Sequence, residues 1–188
     1  MGTNQKFMYA ESDETLFQRI KNNDQTALEM LFERYYYQLC DFAFQYVRSF
    51  DLTEEIVSDV FMNIWRKRQA LTIKSSFKAY IFRSVRNQSI NYLKKENREF
   101  DSLDLLINEA AETYQPDEEL IFCELENRIE VLLNTLPPRR KLIFKLSRLE
   151  GFTYQEIADI LSISIHTVQN QMVQAVKTLA SYSIIDKR

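Results

Sequence analysis

Polar side chains able to read the edges of DNA bases are concentrated near the carboxyl end of this 188-residue chain. Residues 165–179 have helical periodicity, with a predicted buried side of Ile165, Val168, Met172, Ala175, Val176 and Leu179. The remaining positions are mostly polar, and they include the amides Gln169, Asn170, Gln171 and Gln174. Gln and Asn can pair bidentately with adenine in the major groove. The pattern therefore indicates base recognition by hydrogen bonding.

A shorter helix precedes this one, and the two are predicted to form a helix-turn-helix. Thr153 can cap the short helix with Glu156 three residues later, which is a capping box. The apolar stripe of this helix is Ile157, Ile160 and Leu161. Residues 162–164 form the turn, and Ser164 is placed to cap the second helix. In such an arrangement the second helix enters the DNA major groove. A helical hairpin that serves packing alone is the alternative.

The composition favours an all-α chain without metal or cofactor. Only 2 Gly and 3 Pro leave little material for tight turns or phosphate-binding loops. There is no apolar run long enough to span a membrane, and residues 1–13 lack the apolar centre of a signal peptide. Cys40, Cys123 and the single His166 do not have metal-ligand spacing. We expect a protein of the reduced cytoplasm.

The charge is distributed unevenly along the chain. A net charge of −3 and a pI of about 5.4 argue against a protein that binds duplex DNA without a partner, since neutralisation of phosphates supplies most of the non-specific affinity for DNA. Residues 66–98 nevertheless contain ten Lys and Arg and a single acidic residue, whereas residues 99–126 contain ten acidic residues and no Lys or Arg. Such a reversal of charge along the chain marks a functional boundary. The alternative is that the two segments are solvated surfaces whose charges balance each other.

The sequence predicts two small helical domains joined by an acidic linker. Residues 1–99 form the first domain, residues 100–116 the linker and residues 117–188 the second domain. Helices are expected in the first domain at 11–21, 24–47, 51–68 and about 75–97. In the second domain they are expected at 117–136, at 138–150 with Gly151 as the stop, and in the helix-turn-helix.

The fourth predicted helix has a basic side. Its outward residues are expected to be Lys78, Phe82, Arg86, Asn87, Asn91, Lys94 and Arg98. Cations follow a phosphate backbone, aromatic rings can stack on unpaired bases, and asparagine can hydrogen-bond a base edge. This combination suits single-stranded or melting DNA better than a smooth duplex groove.

Two blocks of the chain resemble conserved regions of bacterial sigma factors. Residues 51–68 (DLTEEIVSDVFMNIWRKR) and 77–93 (FKAYIFRSVRNQSINYL) resemble the second region of that family. Residues 136–144 (LPPRRKLIF) and 151–179 resemble its fourth region. The small size, with no match to the first or third region, is similar to the extracytoplasmic-function group. The resemblance covers nearly the whole chain, with both blocks in the family's order.

The resemblance implies a transcription initiation factor that delivers core RNA polymerase to promoters and helps to melt the −10 element. The helix at 51–68 would dock on the polymerase clamp through Ser58, Asp59, Met62 and Asn63. The loop at 73–77, with Lys74, Ser75 and Phe77, would hold a flipped base together with Asn87, and Asn91 lies on the same helix. Lys74, Arg83, Arg86 and Lys94 would hold the DNA backbone. The acidic linker would thread the polymerase's basic channel.

The resemblance also implies −35 recognition by the second helix of the helix-turn-helix. The matching positions are His166, Thr167, Gln169, Asn170, Gln171, Gln174 and Lys177. The family usually has several Arg or Lys there, whereas Lys177 alone is basic here. We therefore expect weak −35 binding that favours adenine and depends on polymerase. Sigma factors of this group are usually held by an anti-sigma protein, often in the membrane.

Three other classes of protein remain as alternatives. A stand-alone helix-turn-helix regulator would need a more basic recognition helix. An all-helical enzyme, such as a metal-dependent nuclease, would need ligands or a phosphate loop that the sequence lacks. A pure interaction module would bind transcription factors without touching DNA. The sequence thus predicts a sigma factor without catalytic chemistry or a small-molecule substrate.

Overall fold

A computed structural model describes residues 11–95 and 130–185 of the chain, with side chains described as far as residue 182. Within these ranges the regular structure is helical. The helices are α1 (Asp13–Lys21), α2 (Gln25–Val47), α3 (Phe50–Lys67), α4 (Phe77–Lys95), α5 (Pro138–Arg148), α6 (Tyr154–Leu161) and α7 (Ile165–Ile185). The all-α prediction is confirmed for the described residues. The linker at 100–116 and most of the helix predicted at 117–136 lie outside them.

Local capping chemistry sets the start of the first two helices. Ser12 Oγ accepts a hydrogen bond from the Thr15 amide at 3.2 Å, and an Asp24 carboxylate oxygen accepts one from the Thr26 amide at 3.0 Å. Each bond satisfies a backbone donor that the first turn of a helix leaves without a partner. The predicted starts of α1 and α2 are thereby confirmed to within two residues.

Helices α1 to α4 form an amino-terminal bundle in which α2 packs against the other three. Helix α3 packs through an apolar stripe, because Ile56, Val60, Phe61 and Ile64 are all buried. Along α2 the side chains at helical spacing are also buried, namely Leu31, Tyr35, Leu39, Phe42 and Tyr46. Of the three consecutive tyrosines, Tyr37 is 59% exposed, as helical geometry requires of at least one.

Helices α5 to α7 form a carboxyl-terminal bundle that contains the helix-turn-helix. Pro138 begins α5, and Gly151 follows its end with a φ of +74°, a conformation that glycine adopts without strain. Thr153 and Glu156 form the predicted capping box at the start of α6. The turn is made by Ser162 in the left-handed region, and Ser164 Oγ then accepts from the Thr167 amide at 3.0 Å. The predicted helix-turn-helix is confirmed.

Two predictions of side-chain burial were wrong. Val176 and Ile165 were expected on the buried side of α7, but they are 50% and 41% exposed because Val168, Met172 and Ala175 define a narrower contact. Phe82 was expected on the outward side of α4, but it is only 1% exposed because α6 packs over that side. Both errors concern tertiary packing rather than helix formation.

The capping box is expected to contribute measurably to the stability of the helix-turn-helix. Thr153→Ala removes the hydroxyl that accepts from the Glu156 amide at 3.2 Å, so the free energy of unfolding should fall by about 1 kcal/mol. Chemical denaturation monitored by circular dichroism measures the loss. Thr178→Ala is the control, since the exposed Thr178 hydroxyl only donates back to the Gln174 carbonyl within α7. Equal stability of the two variants would contradict a role for the cap.

Candidate nucleic-acid and polymerase interface

Helix α4 presents one continuous exposed row of DNA-compatible side chains. Arg83, Asn87, Asn91 and Lys94 are all exposed, and their spacing of three or four residues places them on one face of the helix. The row combines two cations with two amides. Cations bind phosphates, and amides hydrogen-bond base edges. This face of α4 can therefore contact both the backbone and the bases of one DNA strand. The structure therefore brings together four of the eight predicted −10 residues.

A second row of α4 lies under the carboxyl-terminal bundle. Lys78, Phe82 and Arg86 follow each other at intervals of four residues and face α6 and the segment before it. The Arg86 guanidinium is half-buried and donates from Nη1 to Ser162 Oγ at 3.1 Å. Arg86 Nη1 also donates to Asn87 Oδ1 of the exposed row at 3.3 Å, so Arg86 joins the two rows that the sequence placed on one basic side.

The loop before α4 holds the next two predicted −10 residues, Lys74 and Ser75, and both are exposed. Ser76 begins the helix, because its Oγ accepts from the Ala79 amide at 3.2 Å. Phe77, also predicted to bind DNA, is 2% exposed and its ring packs 5.6 Å from that of Phe17. Such a ring has no free face for a base, so Phe77 anchors the loop instead.

Two of the four predicted polymerase residues, Ser58 and Met62, line an apolar groove between α2 and α3. The groove is lined by Leu28, Glu29, Phe32, Glu33, Ser58, Phe61 and Met62. Met62, which lines the groove, is 48% exposed. Asp59 accepts from Gln88 Nε2 of α4 at 3.4 Å, and Asn63 is exposed. The α2 residues of the groove, Leu28, Glu29, Phe32 and Glu33, were not among the predicted polymerase residues.

The outward face of α7 carries most of the predicted −35 residues. His166, Gln169, Asn170, Gln174 and Lys177 are exposed. Thr167 and Gln171 are half-buried. The arrangement offers amides to base edges and little positive charge to phosphates.

One cation near α7 was missed by the sequence analysis. Arg140, near the start of α5, donates from Nε to the Gln171 side-chain oxygen at 3.2 Å. Its side chain therefore lies beside α7. No sequence signal could have identified it, because the approach of α5 to α7 is set by packing.

Comparison with known proteins identifies the class to which this geometry belongs. Residues 31–99 match the family described as Sigma-70 region 2, and residues 126–179 match Sigma-70, region 4. Together these matches span the helical bundle with the basic helix and the helix-turn-helix. The chain therefore belongs to the sigma-70 family of transcription initiation factors.

Curated relatives define the group within that family. The chain is 27% identical over 174 residues to the ECF RNA polymerase sigma-E factor of Haemophilus influenzae, a match that covers 87% of this chain and 91% of the relative. It is 26% identical over 173 residues to the factor of the same name from Escherichia coli K12, covering 87% and 90%. The protein is an extracytoplasmic-function sigma factor, which directs RNA polymerase to promoters.

Solved structures show the same fold. CnrH, solved in complex with the cytosolic domain of CnrY, is 18% identical with a TM-score of 0.58, covering 94% of this chain and 99% of that one. The sigma factor RpoE of Bartonella quintana, solved with the anti-sigma factor NepR, is 22% identical with a TM-score of 0.56, covering 84% and 97%. Within residues 11–95 and 130–185, no helix is long and apolar enough to cross a membrane.

Proposed function

We propose that the exposed row of α4 reads and holds the melted −10 element in the initiating complex. Asn87 and Asn91 contact bases, while Arg83 and Lys94 hold the strand's phosphates, with Lys74 and Ser75 of the loop before α4 completing the site. The observation that carries this assignment is the row itself, two amides between two cations on one exposed helical face. Phe77 is left out because it lies in the core.

We propose that the groove between α2 and α3 receives the polymerase clamp. Its floor is apolar, and Glu29 and Glu33 line it beside the exposed Met62. An apolar groove with acidic residues in its wall fits an amphipathic partner helix with basic flanks. Ser58, Asp59 and Asn63 would contribute polar contacts at the rim, where charge affects the rate of association more than affinity.

A charge placed in this groove should weaken polymerase binding. Met62→Glu puts a carboxylate where an apolar contact is proposed, so affinity for core RNA polymerase should fall by about tenfold or more, the equivalent of about 1.4 kcal/mol. Competition binding to core polymerase measures the change. Gln18→Glu adds the same charge to an exposed position on α1 and is the matched control.

Two results would contradict these proposals. Unchanged affinity of Met62→Glu would remove the groove from the polymerase interface. Failure of the unmodified protein to bind core polymerase would overturn the proposed function as a whole.

We propose that α7 reads the −35 element through Gln169, Asn170 and Gln174, with His166, Thr167, Gln171 and Lys177 beside them. Arg140 adds a phosphate contact from α5. Gln and Asn pair with adenine, so the preferred sequence should be rich in adenine. Because few cations face the DNA, this contact should orient a polymerase-bound factor rather than hold DNA alone.

The proposed domain organisation follows from these assignments. Residues 1–99 form the −10 and polymerase-binding domain, residues 100–116 an acidic linker in the polymerase channel, and residues 117–188 the −35 domain. The protein acts in the cytoplasm without catalytic chemistry or cofactor. An anti-sigma protein, soluble or membrane-bound, holds it inactive, as suggested by the Bartonella quintana sigma factor RpoE, which was solved with the anti-sigma factor NepR.

A further inference from the structure

Val173 is an aliphatic residue in the middle of the polar outward face of α7. It is 53% exposed. It follows Gln169 by four residues and Asn170 by three, and it precedes Lys177 by four. Residues at these intervals share one face of a helix. Side chains proposed to contact the −35 element therefore surround Val173 on that face.

Val173 does not belong to the packed side of α7. Val168, Met172 and Ala175 define that side, and each is at most 3% exposed. An α-helix turns about 100° per residue, so Val173 points about 100° or more away from each of them. Val176 differs in this respect, because it lies only about 40° from Met172, although it is 50% exposed. Val173 thus faces outward, and Val176 lies at the edge of the packed side.

The chemistry of the major groove restricts what an outward valine can contact there. Guanine presents two hydrogen-bond acceptors, adenine an acceptor and a donor, and cytosine a donor, whereas thymine presents an acceptor and its C5-methyl group. A valine side chain cannot form hydrogen bonds, so a donor or acceptor that it covers loses its partner at a cost in free energy. Of the four bases, thymine alone therefore offers Val173 an apolar contact.

The neighbouring amides indicate where such a thymine lies. Each residue of an α-helix advances 1.5 Å along its axis, so Val173 lies about 4.5 Å beyond Asn170 and about 6 Å beyond Gln169. Successive base pairs of B-form DNA are about 3.4 Å apart. Both separations correspond to one or two base pairs. The thymine should therefore lie within about two base pairs of an adenine bound by Asn170 or Gln169.

We propose that Val173 selects thymine in the −35 element by packing against its C5-methyl group. This inference rests on the proposed function, in which α7 reads that element. Burial of one methyl group corresponds to about fourfold in affinity. Val173 thus adds a preference for thymine at one position to the adenine preference of the amides around it.

Removal of a single methyl group from the DNA tests this contact. Holoenzyme reconstituted from core RNA polymerase and the full chain first selects duplex promoter fragments that are randomised in the −35 segment. In the tightest-binding fragment each −35 thymine is then replaced in turn by deoxyuridine, which lacks only the C5-methyl group. At one position this replacement should weaken binding of the parent holoenzyme about fourfold. Holoenzyme with Val173→Ala should bind the thymine and deoxyuridine fragments equally.

Val176→Ala is the matched control for Val173→Ala. It truncates the same type of side chain at a similarly exposed position of the same helix. Holoenzyme with Val176→Ala should keep the fourfold response to deoxyuridine. In a separate measurement without DNA, Val173→Ala should bind core RNA polymerase as tightly as the parent does, because the proposed partner of Val173 is a base.

Several results would overturn the inference and leave the proposed −35 function standing. They are a selected element that contains adenine but no thymine, a parent holoenzyme that is insensitive to deoxyuridine at every position, and a Val173→Ala variant that responds as the parent does. Weaker binding of Val173→Ala to core polymerase would assign the side chain to a protein interface instead. Selection without any base preference in the −35 segment would overturn the proposed −35 function itself, and this inference with it.

Discussion

Alone, the protein is expected to bind duplex promoter DNA weakly and without sequence preference at physiological salt, and core RNA polymerase should increase specific binding by at least about a thousandfold. Specific complexes typically exceed non-specific ones by that factor or more. The net charge is −3, and Lys177 is the one basic side chain on the proposed reading face of α7. Few phosphates can therefore be neutralised, and counterion release contributes little. Fluorescence anisotropy with labelled promoter DNA, with and without core polymerase, measures the difference.

The DNA affinity of the variant Gln174→Arg can be measured in the same assay. The exposed Gln174 lies on the same face as Lys177, so an arginine there should add about one phosphate contact. The slope of log affinity against log salt should then steepen by about 0.9. Tight, sequence-specific binding by the unmodified protein alone would contradict the account and would favour a stand-alone regulator.

Asn87→Ala is expected to reduce open-complex formation on duplex promoters by about 5- to 150-fold, while affinity for core polymerase stays unchanged. Asn87 is exposed at the centre of the α4 row, and loss of a base hydrogen bond costs about 1–3 kcal/mol of discrimination. On a template already melted at −10 the defect should be smaller, because the cost of unstacking no longer has to be offset. Permanganate reactivity of unpaired thymines measures opening on both templates.

Gln88→Ala is the matched control for Asn87→Ala. It removes a neighbouring amide of the same helix, which turns toward α3 and donates to Asp59 at 3.4 Å. The control should open promoters normally. Equal activity of Asn87→Ala and the parent on both templates would remove Asn87 from the −10 site.

The helix-turn-helix could be predicted closely because its signals are local. A capping box, an apolar stripe and a serine cap act within a few residues of each other, so Thr153, Glu156 and Ser164 are recognisable from spacing alone. The same holds for the starts of α1 and α2 at Ser12 and Asp24. In these places the sequence and the tertiary structure favour the same conformation.

Contacts between distant segments could not be predicted in this way. Phe82 was expected to face outward because periodicity cannot show that Phe152 covers it. Arg140 approaches Gln171 only through the packing of α5 on α7. The α2 half of the groove beside Met62 likewise depends on how two helices cross. Each of these features is a property of the assembled fold.

Surfaces carried by one helix were predicted from spacing, and surfaces made by two elements were predicted incompletely. The α4 row of Arg83, Asn87, Asn91 and Lys94 needed only helical spacing. Arg86 lies between that row and the end of α6, since its Nη1 donates both to Asn87 Oδ1 and to Ser162 Oγ. Helical spacing thus identified the charge of α4 but not the contact that Arg86 makes with Ser162.

Transcription in vitro from a reconstituted holoenzyme tests the central claim most directly. Core RNA polymerase freed of other sigma factors is combined with this protein and with a library of duplex promoter fragments, and the transcript starts are sequenced. The account predicts initiation at a defined subset of fragments that share a −10 and an adenine-rich −35 element, with no specific starts from core polymerase alone. Starts that are equally random with and without the protein would contradict it.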